Sequence, residues 1–216
     1  MRAGGLGLLV VIAGTGTDVG KTWVTCRLAD QLRARGLAVA ARKPAQSFAP
    51  EGAGPTDADL LAAATGENAA DVCPPFRWYP KAMAPPMAAE SLGLRSFSLA
   101  DLVGEMWWPT ATDVGLVEEA GGLGSPHAAD GDGADLVNLL APDRVVLVAP
   151  SGLGTLSHIR LALRALGSYA AVVYLNHFDG DDEIHAANRR WLGAHEEVPV
   201  VVDPQALADE LLSSRP

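Results

Sequence analysis

Apolar residues along this chain gather in short continuous runs separated by amphipathic stretches, and the runs recur from one end to the other. An unbroken apolar run suits a strand whose two faces are both covered, as in a parallel sheet flanked by helices. The strands predicted in this way are Leu6–Ala13, Leu37–Lys43, Asp113–Glu118, Arg144–Ala149, Ala170–Leu175 and Val198–Val202. Helical spacing fills the intervals. Lys21–Arg35 carries Val24, Leu28, Ala29 and Leu32 near helical spacing and stops at Gly36; the others are Asp57–Thr65, Ser98–Trp107, Thr155–Leu166, Asp182–Leu192 and Gln205–Leu212. Residues 68–97 are richer in proline and methionine and read as loops with one short helix around Pro86–Leu92. Residues 124–134, GSPHAADGDGA, read as a mobile loop. The pattern predicts an α/β sandwich with a mostly parallel central sheet, in one domain spanning residues 1–216.

Composition narrows the partners more than the fold. A chain of 216 residues, 49% hydrophobic, is long enough to bury a sizeable core. Its formal charge of −10 argues against nucleic-acid and anionic-membrane partners, which require clustered basic residues. No apolar run approaches the ~20 residues that cross a bilayer. The first apolar stretch passes directly into a glycine-rich loop, so it reads as a core strand and not a signal peptide, and a cytoplasmic location is expected. Cys26 and Cys73 lack CxxC spacing and read as unpaired thiols.

The sharpest chemical signal is Gly14–Thr22, GTGTDVGKT, placed between the first strand and the first helix. Gly14, Gly16 and Gly20 let the backbone turn tightly and aim its N–H groups inward, and the helix beginning near Gly20 adds its positive end. Lys21 would reach the β and γ phosphates and Thr22 would ligate Mg²⁺. This is a lengthened P-loop, and it makes the expected fold a three-layer sandwich of the P-loop NTPase type.

In a parallel sheet, ligands collect where strands end. Lys43 closes the second strand, where a cation can neutralise a transferred phosphoryl group or a carbamate; the alternative is a snorkelling surface lysine. Glu118 ends the third beside Gly121 and Gly122, placed like a Mg²⁺ ligand or, alternatively, a charge turned to water. The segment Gly152, Leu153, Gly154, Thr155 opens a second helix N-terminus that can hold a carboxylate or be an ordinary cap. Asn176 can read a nucleobase edge or form a turn.

GTGTDVGKT, KPAQS, TDADLL, VEEAGG and GLGTLSH, in that order over roughly residues 8 to 178, resemble the dethiobiotin synthetases. The resemblance implies a homodimeric enzyme, dependent on ATP and Mg²⁺, that closes a cyclic urea from 7,8-diaminononanoate and CO₂ by way of a carbamate and a carbamic–phosphoric anhydride. It assigns catalysis to Lys21, Lys43 and Thr17, and nucleotide binding to Gly16, Thr17, Asp18, Val19, Gly20, Lys21, Thr22, Glu118 and Asn176. Thr22, Asp57 and Glu118 become the metal ligands. Lys43 and Ser47 line the diamine site, and Gly152, Leu153, Gly154 and Thr155 hold the substrate carboxylate across the dimer interface.

Two departures bear on substrate choice. Glu119 stands where the family's EGAGG form has glycine, and would either crowd the phosphate or recognise another amine. Ser47-Phe48 replaces the last pair of the commoner KPxxTG, adding an aromatic wall. Two alternatives therefore accompany the ligase reading: a paralogue acting on another diamine or carboxylate, and a nucleotide-dependent switch of the MinD and partition ATPase kind. Against the switch, the signature lysine of its KGGxGKT loop is replaced here by Gly16.

Overall fold

The structure, a computed structural model, describes residues 6–50 and 54–213. β1 (Leu8–Gly14) leads through the glycine loop into α1 (Lys21–Ala34), followed by β2 (Val39–Arg42). Next come β3 (Gln46–Ser47), α2 (Asp57–Thr65), α3 (Ala69–Val72), a 3₁₀ turn at Pro75–Arg77, β4 (Trp78–Tyr79), α4 (Pro85–Ser91) and α5 (Leu99–Glu105). β5 (Val114–Glu118) precedes a hairpin of β6 (Pro126–Ala128) and β7 (Gly131–Asp132), then α6 (Gly133–Leu140). The chain ends with β8 (Arg144–Pro150), α7 (Thr155–Leu166), β9 (Ala171–Asn176), α8 (Glu183–His195), β10 (Val200–Val201) and α9 (Pro204–Ser213).

The central sheet runs β10-β9-β8-β1-β5-β2, with every pairing parallel. Period-two alternation sends β1 residues to opposite layers. Leu8, Val10 and Ile12 pack with Val24, Leu28 and Leu32 of α1 and Leu207 and Leu211 of α9. Leu9, Val11 and Ala13 pack with Val137 of α6, Ile159 of α7 and Leu192 of α8. Each large aliphatic side chain buried there stabilises the sheet by about 1.5–3 kcal/mol. All strands point the same way, so their carboxyl ends share one rim. Among the described residues no helix is long and apolar enough to cross a membrane.

The six predicted strands and six principal helices are all present, with ends moved by at most three residues. β2 is shorter than Leu37–Lys43, ending at Arg42, whose buried guanidinium donates to Trp107 O and pairs with Glu67 between the Trp107 and Trp108 rings. Lys43 thereby falls just past the strand. The excursion at 68–97 holds α4 near its expected place, together with α3 and β4, which pairs with β3.

The expected loop at 124–134 is instead the β6/β7 hairpin and the start of α6. Its turn-like composition conceals a capping box: Asp132 accepts from Asp135 N–H, and the Asp135 side chain accepts from Asp132 N–H. His127, 2% exposed, holds the hairpin to the loop after β5 by accepting from Ala120 N–H through Nε2 at 3.1 Å, while Nδ1 lies 2.9 Å from Ser125 O. That pairing requires the neutral Nδ1–H tautomer.

Burial pushes the His127 imidazole down to about 4 from an ordinary 6.5. The unfolded chain therefore binds the extra proton first, and stability present above pH 6.5 is lost as pH falls toward 4. We expect this loss to reach about 3 kcal/mol at full protonation, at 1.36 kcal/mol per pH unit. Denaturant unfolding of wild type and His127→Gln at pH 7 and pH 5 checks it: the variant should show the shallower slope.

Candidate functional site

The Thr15–Gly20 loop turns because Asp18 and Gly20 adopt positive φ, 58° and 91°. At Gly20 only glycine fits, since a Cβ there would lie 2.0 Å from Asn176 Nδ2. A Cβ on Gly122 would meet the Gly16 backbone at 2.9 Å, so that glycine lets the loop after β5 lie against the phosphate loop. Lys21 is buried and its Nζ donates to Gly16 O at 3.1 Å, bending back over the loop it follows. Burial and the neighbouring Lys43 ammonium lower its pKa from the ordinary lysine value, against the pull of Glu118, Glu119 and Asp57.

Beside the loop lies a compact charge cluster. Glu118 is fully buried at the end of β5. Its Oε1 is 2.8 Å from Thr22 Oγ1 and 2.6 Å from Lys43 Nζ, and its Oε2 accepts from Thr25 Oγ1 at 2.9 Å. Asp57 approaches from α2, its carboxylate 2.9 Å from Thr22 Oγ1 and 2.7 Å from Lys43 Nζ. Thr56 caps α2 in a capping box with Asp59, which leaves the Asp57 side chain available to the cluster. Burial by itself would draw the Lys43 pKa down, but Glu118 and Asp57 outweigh it and hold the amine above its ordinary value, firmly protonated. Burial would likewise raise Asp57; Lys43, the Thr22 bond and Lys21 prevail and lower it. Lys43 is thus a fixed positive charge and not a base.

Thr17, Asp18, Gly20, Lys21, Thr22, Lys43, Ser47, Asp57 and Glu118 all line one cavity of about 650 Å³. Gly16 and Val19 belong to the same loop, behind that lining. Ser47 Oγ donates to Met83 O at 2.5 Å, tying β3 to the Ala82–Pro85 wall, and Phe48 lines the cavity as an aromatic wall. Asn176 lies elsewhere: 3% exposed at the end of β9, it donates through Nδ2 to Val19 O at 3.0 Å. An adenine amino group would have to be met by its Oδ1. Gly152, Leu153, Gly154 and Thr155 do not line this cavity; Leu153 projects from the surface at 92% exposure.

Glu119 also stands outside the lining. It is fully buried beside Gly133 at the start of α6, both carboxyl oxygens lack hydrogen-bond partners, and burial pushes its pKa up to about 8. The substitution therefore alters the support beneath the cavity and not its wall. Sequence reasoning missed Gln46 and the Ala82–Pro85 wall. Gln46 accepts from Ala58 N–H through Oε1, and its buried Nε2 has no partner. Its place in KPAQS, two positions past the proline, was the available signal. The wall carried none, because its closeness depends on the β3–β4 pairing.

The donors fit a magnesium ion. Mg²⁺ takes hard oxygen ligands, commonly one or two carboxylates supplemented by substrate phosphates and water, and Thr22, Asp57 and Glu118 present such oxygens together. Among the described residues no group of three or more His, Cys, Asp or Glu side chains offers a different cage.

Residues 9–202 match the family described as "AAA domain". The chain is 42% identical over 181 residues to an ATP-dependent dethiobiotin synthetase of Caulobacter vibrioides (strain NA1000 / CB15N), covering 79% of this chain and 81% of that one. It is 36% identical over 198 residues to the ATP-dependent dethiobiotin synthetase of Haloferax mediterranei, covering 89% and 82%. Among solved structures, chloroplast FtsY from Physcomitrella patens aligns with a TM-score of 0.54 at 18% identity, over 98% of this chain and 67% of that one, which speaks for the P-loop fold alone. Identity at this level along most of both chains places the protein among ligases, not switches: it belongs to the family of ATP-dependent dethiobiotin synthetases.

Proposed function

We propose that the cavity walled by Lys21, Thr22, Lys43, Asp57 and Glu118 carries the ring closure itself: a diamine and CO₂ are joined into the cyclic urea of dethiobiotin at the expense of ATP. The observation that carries this reading is Lys43, a buried, protonated amine at the meeting point of phosphate loop, carboxylates and diamine wall. An uncharged amine of 7,8-diaminononanoate attacks CO₂, leaving a carbamate. A carbamate oxygen takes the γ-phosphoryl group of ATP, ADP departs, and the second amine displaces phosphate to close the ring. Loose phosphoryl transfer asks for alignment and charge stabilisation, not for a nucleophilic side chain.

Lys21 holds the phosphates through the loop. Thr22, Asp57 and Glu118 would hold Mg²⁺, which when bound supplies positive charge to the β and γ phosphate oxygens. Lys43, kept charged by its two carboxylates, lies against the carbamate and stabilises the oxygen that gains phosphate. Ser47 and Phe48 shape the diamine wall, and Asn176 fixes the loop beneath the nucleotide. Glu119, set behind the cavity, does not narrow it directly.

The working form is a homodimer in which the Gly152–Thr155 loop of one protomer receives the substrate carboxylate of the other. Two features support it: the loop lies apart from its own protomer's cavity, and Leu153, Leu161 and Leu139 expose apolar surface around α6 and α7. Where such side chains form one contiguous patch they mark an association surface.

Three outcomes test these assignments. Phosphate release from ATP with Mg²⁺ and bicarbonate should depend on 7,8-diaminononanoate and yield the cyclic urea by mass; release indifferent to the diamine sinks the proposal. Lys43→Ala should lower kcat by roughly a hundredfold or more, on the scale of a lost oxyanion donor, while shifting the nucleotide Kd only a few-fold by calorimetry. Leu161→Glu should move the sedimenting species from dimer to monomer, and a wild type already monomeric at micromolar concentration removes the shared-site arrangement.

A further inference from the structure

A chain of hydrogen bonds runs from the phosphate loop to the exposed loop before α7. Asn176 Nδ2 donates to Val19 O at 3.0 Å, and the Asn176 carbonyl accepts from Ser151 Oγ at 2.8 Å. Ser151 is 2% exposed. From the other side, Asn188 of α8 donates through a single amide nitrogen to two successive carbonyls, Ser151 O at 2.9 Å and Gly152 O at 3.0 Å. Gly152 O also accepts from Thr155 N–H at 3.3 Å.

These two carbonyls determine where the next two N–H groups point. Among the described residues every peptide bond is trans, and in a planar trans peptide the C=O and N–H are antiparallel. Drawing Ser151 O and Gly152 O toward α8 therefore turns the N–H groups of Gly152 and Leu153 away from α8. Neither N–H donates a hydrogen bond among the described residues, Leu153 stands 92% exposed, and Gly154, at φ 90°, precedes α7 without a side-chain cap. Two outward amides beside a helix N-terminus are the donors a carboxylate requires. Without Asn188 nothing else on α8 donates to either carbonyl: Ser151 O loses its side-chain donor, and Gly152 O keeps only the 3.3 Å bond from Thr155 N–H.

We infer that Asn188 is a positioning residue for substrate recognition: by holding the Ser151 and Gly152 carbonyls it aims the Gly152 and Leu153 amides at the carboxylate of the diamine. This rests on the assignment of Gly152–Thr155 to that carboxylate. Asn188 does not touch substrate. Its effect reaches the reaction through the loop, and the Ser151–Asn176–Val19 links connect the same loop to the nucleotide side.

The test compares 7,8-diaminononanoate with 7,8-diaminononane, which lacks the carboxylate, in wild type and in Asn188→Leu, a replacement of similar size with no donor. Wild type should show a KM for the carboxylate-free diamine at least roughly tenfold higher, as expected for loss of hydrogen bonds to a charged group. In Asn188→Leu the KM for 7,8-diaminononanoate should rise by about the same factor, with little change in KM for the carboxylate-free diamine, for ATP, or in thermal midpoint. Asn188→Gln, which retains an amide donor, should recover part of the difference. If wild type discriminates and Asn188→Leu discriminates equally, the role of Asn188 is overturned while the loop assignment stands. Should wild type fail to discriminate, the loop assignment falls and the role of Asn188 falls with it. A variant that loses KM for both diamines alike, or melts early, is merely damaged, and that result also counts against the proposal.

Discussion

A carboxylate removed entirely from water must be answered by positive charge and hydrogen-bond donors, or it will not stay ionised. Glu118 poses that demand at the end of β5, and the rim of the sheet is organised around meeting it. Lys43 arrives from the end of β2, Thr22 and Thr25 from the first turns of α1, and Asp57 enters as the second carboxylate on the same ammonium. Strand end, phosphate loop and α2 are thereby brought within hydrogen-bond distance of one another. What serves as an electrostatic requirement of folding is also the set of charges to which we assign phosphoryl transfer.

Delivery of these groups depends on the layered packing beneath. The β1 side chains divide between two helical layers, so the strand cannot slide without reversing both. Its last residue is consequently fixed relative to the ends of β5 and β8. The small β3–β4 pair then brings Ser47 under the Ala82–Pro85 wall, and the β6/β7 hairpin, held by a neutral imidazole, supports the loop after β5.

Much of this was legible in the residues. Unbroken apolar runs announced the parallel sheet, and α2 and α7 occupy the ranges their periodicity indicates because each has a clear start, at Thr56-Asp57 and at Gly154-Thr155. Lys43, Asp57 and Glu118 were recognisable individually, but their mutual distances depend on strand order, which no local pattern encodes. α6 was hidden because Asp130, Gly131, Asp132 and Gly133 have turn composition; aspartates at 132 and 135 in place of the usual Ser/Thr and Glu weakened the capping signal. Glu119 illustrates the opposite failure. Its neighbours in sequence suggested a role at the phosphates, whereas the alternation of an extended chain turns it toward α6.

The contact between Gly20 and Asn176 joins residues far apart in the chain, and each constrains the other. The amide of Asn176 occupies the space that any side chain at position 20 would need, and the same amide supports Val19 while its backbone anchors Ser151. Evolution cannot explore the two positions independently. A side chain gained at the glycine loop demands a smaller residue at the end of β9, and that exchange would remove the strut beneath both that loop and the neighbouring one, leaving the pair open to change only as a unit.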